Sequence, residues 1–201
     1  MSVGTDNLPG DTRHRSGAAV MRETGEHVGA AVTELAKVLG HPDVDPLPVD
    51  WAAVERQLGV GLPADYKAFA DAYPALFINE YLRVCHPSCS DAQRNLLLDA
   101  QVRTRSLREL TAEFPEMHVY PVYPAPGGLL CWGNNTSREQ CYWLTEGHPD
   151  DWRVVIGEQE DYCWLFDGNF CDFLLASCRG ELAHPFYGSF TGPLEKVDFV
   201  R

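Results

Sequence analysis

The spacing of apolar residues predicts helices near both ends of the chain. A first helix is predicted from about Glu26 until Gly40 and Pro42 end the pattern. Its apolar positions recur every three or four residues, at Val28, Ala31, Val32, Leu35 and Leu39. A last helix is predicted from Asn169 to Gly180, because asparagine caps helices, Asp172 follows three residues later and glycine ends helices well.

Two short helices are predicted before residue 75. Asp50 is placed to cap the first, which Gly59 ends in a left-handed conformation. Pro63 opens the second and Pro74 closes it. The predicted buried stripe of this second helix is Tyr66, Phe69, Ala70 and Tyr73.

Residues 91–114 also have a mostly helical pattern. The regularity breaks between Gln101 and Arg108, so the pattern is compatible with one helix or with two. This is the basic part of the chain, because residues 83–108 contain five arginines and two aspartates, a net charge of +3.

Five runs have the composition of strands: residues 77–85, 118–123, 129–132, 141–144 and 152–156. Turn residues separate the last four, and such short connections favour antiparallel neighbours over crossovers. Trp132, Trp143 and Trp152 lie on three of these runs, and Trp164 follows them. We expect these tryptophans in the core, because alternating strands need large inward-facing side chains, and Tyr162 and Trp164 are the aromatic residues most expected near a rim of the surface.

Length and composition indicate one domain with a tail. Residues 1–24 lack hydrophobic periodicity and are predicted to form a flexible N-terminal tail, which leaves residues 25–201 as the domain. No leading segment has the pattern of a signal peptide, no apolar run approaches the ~18 residues of a membrane span, and the seven cysteines lack framework spacing. These features predict a reduced cytoplasmic protein.

The formal net charge of -13 restricts the class of partner. Nucleic-acid affinity rests on lysines and arginines that neutralise phosphates, so direct nucleic-acid binding is not expected. A basic protein partner is favoured instead. Residues 146–172 contain eight acidic residues and one arginine, a net charge of -7 that is more than half of the total.

Within this acidic segment we predict a partner-binding surface. Carboxylates in loops can steer a basic partner, and aromatic side chains supply desolvated contact area. The predicted partner-binding residues are Asp150, Asp151, Glu158, Glu160, Asp161, Tyr162 and Trp164. The alternative is a solvated acidic surface that aids solubility, and Asp172 also has the position of a helix cap.

Motifs for catalysis or metal binding are not found in the sequence. Cys85, His86 and Cys89 lie within five residues, but no second matching pair follows, and structural zinc sites use four ligands. HExxH, GxSxG, P-loop and GxGxxG motifs are absent. We therefore expect no catalytic residue, no metal and no cofactor, and the sequence leaves the oligomeric state open.

Four sequence words, taken in order, resemble the SUKH superfamily, in particular its Smi/Knr-type branch. They are LGVGLPADYKAF (residues 58–69), GGLLCWGNN (127–135) preceded by Pro121 and Tyr123, CYWLTEGHPDDWRVV (141–155) and FDGNFCDFLLASCRGEL (166–182). The chain departs from the family at Cys131, where many relatives have proline, and at residues 134–139, which lack the usual Asp-Gly pair of a tight hairpin. That loop is open to two interpretations, a partner-specific rim or a longer loop without special function.

The resemblance implies an α+β fold in which a curved, mainly antiparallel sheet of about five to six strands is covered by helices. Many bacterial members look like immunity proteins, which bind a cognate toxin, often a nuclease or deaminase, and block it. By this resemblance we expect an immunity protein that occludes a toxin with a basic surface and is not an enzyme. The alternative is an intracellular adaptor module without a toxin partner.

Overall fold

The computed structural model of the chain describes residues 17–117, 119–157, 163–182 and 194–199. Five α-helices lie within these ranges: α1 Gly17–Leu39, α2 Trp51–Leu58, α3 Ala64–Ala72, α4 Leu96–Glu113 and α5 Phe170–Arg179. Short 3₁₀ turns cover Pro115–Met117 and Pro149–Asp151.

The predicted helix caps are confirmed. Asp50 accepts a hydrogen bond from the backbone N–H of Ala53 at 3.0 Å, and Gly59 ends α2 with a φ of 80°. Asn169 and Asp172 form a reciprocal capping box at the start of α5, which Gly180 ends with a φ of 69°. Each cap joins residues that are close in sequence, which is why the sequence alone predicts it.

Seven strands form one open sheet: β1 Ala75–Ile78, β2 Leu82–Val84, β3 Leu129–Asn135, β4 Gln140–Leu144, β5 Arg153–Gly157, β6 Cys163–Phe166 and β7 Lys196–Phe199. Their order across the sheet is β6-β5-β4-β3-β2-β1-β7, and every neighbouring pair is antiparallel. The predicted α+β class with a mainly antiparallel sheet is confirmed. The sheet has more strands than the five to six expected, because β6 and β7 were not predicted.

Three predicted elements differ in the structure. Residues 77–85 form a hairpin rather than one strand, because Asn79 and Glu80 turn the chain with φ angles of 52° and 53°. Residues 119–123 contain no strand, only a bridge between Val122 and Leu129. The segment after residue 91 contains a single helix, so the break in its apolar pattern does not end α4.

Helix α1 begins at Gly17 rather than near Glu26. Residues 17–25 include alanine, methionine, arginine and glutamate, which favour helices without producing an apolar stripe. A prediction from hydrophobic period alone therefore places the start too late. Residues 1–16 of the predicted tail lie outside the described residues.

The main core lies between one face of the sheet and helices α1, α2, α3 and α5. Trp132 of β3 packs edge-on against Phe170 of α5 at 4.9 Å, and Trp143 of β4 packs against Tyr66 of α3 at 4.9 Å. Trp132, Trp143 and Trp152 are buried, as predicted. Aromatic pairs of this geometry contribute about 0.5–1.5 kcal/mol beyond their buried area.

Helix α4 extends from this core to the opposite face of the sheet. Leu96 and Ala100, near its start, belong to the main core. Leu107, farther along, packs in a second apolar cluster with residues of β3, β4 and β5. Both faces of the central strands are thus covered, which explains why every residue of β3 and β4 is buried.

Candidate partner-binding surfaces

Three of the seven predicted partner-binding residues lie within the described part of the chain, around strands β5 and β6. Asp150 and Asp151 are exposed in the 3₁₀ turn before this strand, and Trp164 lies in β6 beside it. Glu158, Glu160, Asp161 and Tyr162 lie outside the described residues, but Gly157 and Cys163, which flank them, pair at the far end of β5.

Trp164 is partly buried. Its ring lies 5.9 Å from that of Phe166 in a tilted arrangement, and both side chains pack against the main core. Strand β6 pairs with β5 on one side and is an edge strand among the strands that the structure describes. Trp164 therefore combines anchoring by the core with access from the edge of the sheet.

Asp150 caps helix α3 from a distant part of the chain. Its Oδ1 accepts a hydrogen bond from the backbone N–H of Ala64 at 2.7 Å. The residue in the N-cap position is Pro63, which offers no side-chain acceptor. A carboxylate at a helix N-terminus also interacts favourably with the helix dipole, typically by about 0.3–1 kcal/mol. Asp150 therefore has a structural role in addition to the predicted binding role.

A second carboxylate connects the N-termini of α3 and α5. Asp65 is buried, and its two oxygens accept hydrogen bonds from the backbone N–H of Tyr66 at 2.7 Å and of Cys171 at 2.9 Å. Burial raises the pKa of the Asp65 carboxyl, Asp172 and Asp150 raise it further, and the two hydrogen bonds oppose the shift. The positive ends of two helices thus meet a group of three carboxylates.

The exposed acidic residues around this junction form what we call the acidic end: Glu146, Asp150, Asp151, Asp167 and Asp172. Arg153 lies 3.6 Å from the Glu146 carboxylate, and His148 lies 3.5 Å from that of Asp150. The prediction that Asp172 caps a helix is confirmed by its capping box. The carboxylates of Asp151 and Asp167 make no hydrogen bond or ion pair with the residues that the structure describes, so they are open to a partner.

The two ends of the loop between β3 and β4 do not form a partner-binding rim. Asn135 and Glu139 are buried, Asn135 donates a hydrogen bond to the Glu139 carboxylate at 2.6 Å, and the Glu139 N–H donates to the Asn135 side-chain oxygen at 3.0 Å. These contacts hold the hairpin together in place of an Asp-Gly turn. Its exposed tip is limited to residues 136–138.

His86 is a structural residue. Its Nε2 lies 2.9 Å from the carbonyl oxygen of Ala70, and its Nδ1 accepts a hydrogen bond from the backbone N–H of Ser88 at 3.0 Å. These partners require a neutral ring protonated at Nε2, and burial lowers its pKa. Both nitrogens are engaged, and the described residues include no group of three His, Cys, Asp or Glu side chains able to hold a metal.

An open groove of about 460 Å³ beside α4 was not predicted. We call it the α4 groove, and its walls come from the end of α2, the first three turns of α4 and the loop at Pro124. Gln101, Thr104 and Arg108 line it, and they lie where the apolar period of the sequence breaks. The break in the apolar pattern could have indicated this groove. Polar residues at positions where a buried helix would have apolar ones indicate that this face of the helix is not packed in the core.

No helix among the described residues has the length and apolar character needed to cross a membrane. Comparison of the chain with protein-family models, with curated proteins and with solved structures found no match in any of the three.

Proposed function

We propose that this chain is an immunity protein of the SUKH type, which binds a cognate toxin in the cytoplasm and blocks it by stoichiometric occlusion. It needs no cofactor and turns over no substrate. The observation that supports the proposal is the acidic end, where five exposed acidic residues stand near a single arginine, beside the edge strand β6. Such a surface complements the basic cleft of a protein that acts on nucleic acid.

The toxin lies along the β6 edge in this proposal. Asp150, Asp151 and Trp164 contact it, and Glu158, Glu160, Asp161 and Tyr162 are the further contacts that the sequence predicts. A typical interface covers about 800 Å² per partner, a patch about 30 Å across. That width exceeds the length of the five-residue strand β5, about 16 Å, so one partner can contact both Asp151 and Trp164.

Charge and aromatic groups have separate roles in this binding. Exposed carboxylates raise the rate of encounter with a basic partner, toward about 10⁸ M⁻¹s⁻¹ at low salt. Trp164 supplies desolvated contact area, because large aromatic residues dominate the binding energy of most interfaces. Neutralising the carboxylates is therefore expected to slow association more than it speeds dissociation.

Co-expression with the toxin encoded beside this gene is the functional test. The expected result is rescue of growth and a stable complex of the two proteins. If the toxin kills the cells as before and no complex forms, the immunity proposal is wrong. Binding of a regulatory protein that has no toxic activity would favour the adaptor alternative.

The binding surface is tested by association kinetics with the purified toxin. The double variant Asp150→Asn and Asp151→Asn removes two charges, and the asparagine amide at position 150 still offers an oxygen to Ala64. The matched control is Glu109→Gln with Glu113→Gln, two exposed positions on α4. The first pair is expected to slow association at low salt and to flatten its salt dependence, and the control pair is not. Equal rates in both would exclude the acidic end from the interface.

A further inference from the structure

The α4 groove has an apolar floor and continues into an exposed apolar strip. Leu58, Leu97, Ala100 and Leu130 line the floor. Leu98, which also lines the groove, is 45% exposed, and Val102, one turn farther along α4, is 53% exposed. Large apolar side chains with this exposure on neighbouring turns of one helix are typical of a surface that a partner covers.

Two arginines stand along the same part of α4. Arg108 donates a hydrogen bond to the carbonyl oxygen of Tyr123 at 3.0 Å, which holds the guanidinium at the wall of the groove. Arg105 is exposed one turn after Gln101. Arg103 differs from both, because it pairs with the buried Asp99 carboxylate at 3.4 Å. Within the described part of the chain, neither Arg105 nor Arg108 forms an ion pair with a carboxylate.

The charge of the α4 groove indicates which class of partner it binds. The whole chain carries a formal net charge of -13, and yet the charged side chain that lines the groove, Arg108, is positive, and Arg105 is exposed on the preceding turn of α4. An apolar floor with cationic groups at its edge complements a segment that is apolar on one side and carries carboxylates on the other. This is the opposite of the partner chemistry expected at the acidic end.

The length of the surface favours a peptide segment over a small molecule. Leu98 and Arg108 are separated by ten positions of α4, about 15 Å along the helix axis. A small ligand that fills the groove would contact Leu98 but leave Val102 exposed. A helix of about ten residues has the matching length and would cover both side chains.

We propose that the α4 groove is a second protein-binding site, which takes an acidic amphipathic helix of a partner protein. Apolar residues on successive turns of that helix lie on Leu58, Leu97 and Leu98, and its carboxylates pair with Arg105 and Arg108. The site is distinct from the acidic end and does not depend on the toxin proposal.

Selection of random peptides of about twelve residues, three helical turns, tests this proposal against the full-length chain. The enriched peptides are expected to combine apolar residues at helical spacing with aspartate or glutamate. A fluorescein-labelled member of the enriched set then serves as the probe in anisotropy titrations. Failure to enrich any such peptide would overturn the proposal.

Two variants test whether the labelled peptide binds in the α4 groove. Arg108→Gln keeps an N–H donor for Tyr123 and removes the charge, and it is expected to weaken binding about ten-fold. Thr104→Trp fills the groove and is expected to abolish binding, with circular dichroism to verify that the variant folds. The matched control is Lys37→Gln on α1, which removes one charge from a residue whose side chain is 64% exposed, and its affinity is expected to be unchanged.

Three results would overturn the proposal. Equal affinity in Arg108→Gln and Lys37→Gln would show that the groove is not used. Enrichment of basic peptides that bind less tightly to Asp151→Asn would place the binding at the acidic end. Self-association of the chain in sedimentation experiments, lost in Arg108→Gln and without peptide binding, would identify a second copy as the occupant. The toxin-binding rate of Arg108→Gln stays at the wild-type value in every case, so failure here leaves the immunity proposal standing.

Discussion

Asp150 accepts a hydrogen bond from the backbone N–H of Ala64 at 2.7 Å, although the two residues are 86 positions apart in the chain. The contact supplies the cap that Pro63 cannot give to helix α3. The contact also anchors the 3₁₀ turn that contains Asp151 to the start of helix α3, which fixes the position of this exposed residue. One side chain thus joins the core scaffold to the proposed binding surface.

Two substitutions of Asp150 are expected to distinguish its capping role from the effect of its charge. Asp150→Ala leaves the Ala64 N–H without its acceptor and is expected to lower the free energy of unfolding by about 1 kcal/mol. Asp150→Asn keeps an acceptor and is expected to lower it by a few tenths of a kcal/mol. Urea unfolding measures both, with Asp151→Ala as the exposed control. Equal stability of the two alanine variants would contradict the capping role.

His86 is expected to make stability depend on pH. Its pKa in the folded protein lies below the ordinary value of 6.5, so the unfolded chain binds a proton that the folded protein excludes. The stabilising contribution of His86 is complete above pH 6.5 and declines as the pH falls toward the folded pKa.

The variant His86→Gln measures this contribution. Its amide can still donate to the Ala70 carbonyl, but the Ser88 N–H loses its acceptor, which is expected to cost about 1–3 kcal/mol at pH 7.5. Because glutamine does not titrate, the difference in unfolding free energy between the wild type and this variant is expected to shrink as the pH is lowered to 5.5. A difference that is constant over this range would show that His86 titrates equally in both states.

Asp65 is expected to affect the pH dependence of stability in the opposite direction from His86. Its folded pKa is raised above 3.8, so between these two values the folded protein keeps a proton that the unfolded chain has released. Its contribution to stability therefore falls as the pH rises through this window. Carboxyl titration by ¹³C NMR should find the raised pKa, and Asp150→Asn should lower it by removing a nearby negative charge. An unchanged Asp65 pKa in that variant would show that the two carboxylates do not interact.

Gly133 is expected to tolerate no side chain. A Cβ atom at this position would lie 2.4 Å from the carbonyl oxygen of Arg83 on the neighbouring strand β2. Gly133→Ala would force the two strands apart and is expected to cost about 1–3 kcal/mol.

The matched control is Gly29→Ala within α1, where a Cβ atom meets nothing within 4 Å. It is expected to stabilise the protein by about 0.5–1 kcal/mol, because alanine favours helices over glycine. Thermal unfolding of the two variants should shift in opposite directions. Destabilisation by both substitutions would contradict the steric explanation for Gly133.

The sequence identified an acidic segment whose binding role stays a prediction. The acidic segment was visible from composition, and Asp150 and Asp151 are exposed as a binding role requires. The capping of helix α3 by Asp150 was not predictable, because charge counting ignores contacts between distant segments. The break in the apolar pattern of α4 indicated an unpacked helix face, but the groove itself was not predictable, since its walls come from α2, α4, β3 and the loop at Pro124.

The sequence by itself determined the features that depend on neighbours within a few residues. The helix caps at Asp50, Asn169 and Gly180 and the burial of Trp132 and Trp143 follow from hydrogen bonds and apolar patterns that are local in the chain.

Only the tertiary structure decided the contacts between distant segments. Strand β7 pairs with β1, which places Phe199 opposite Ala75, and Asp150 caps α3. Such contacts depend on which surfaces the collapsed chain brings together, and a short strand like β6 has too few residues to display a period of its own.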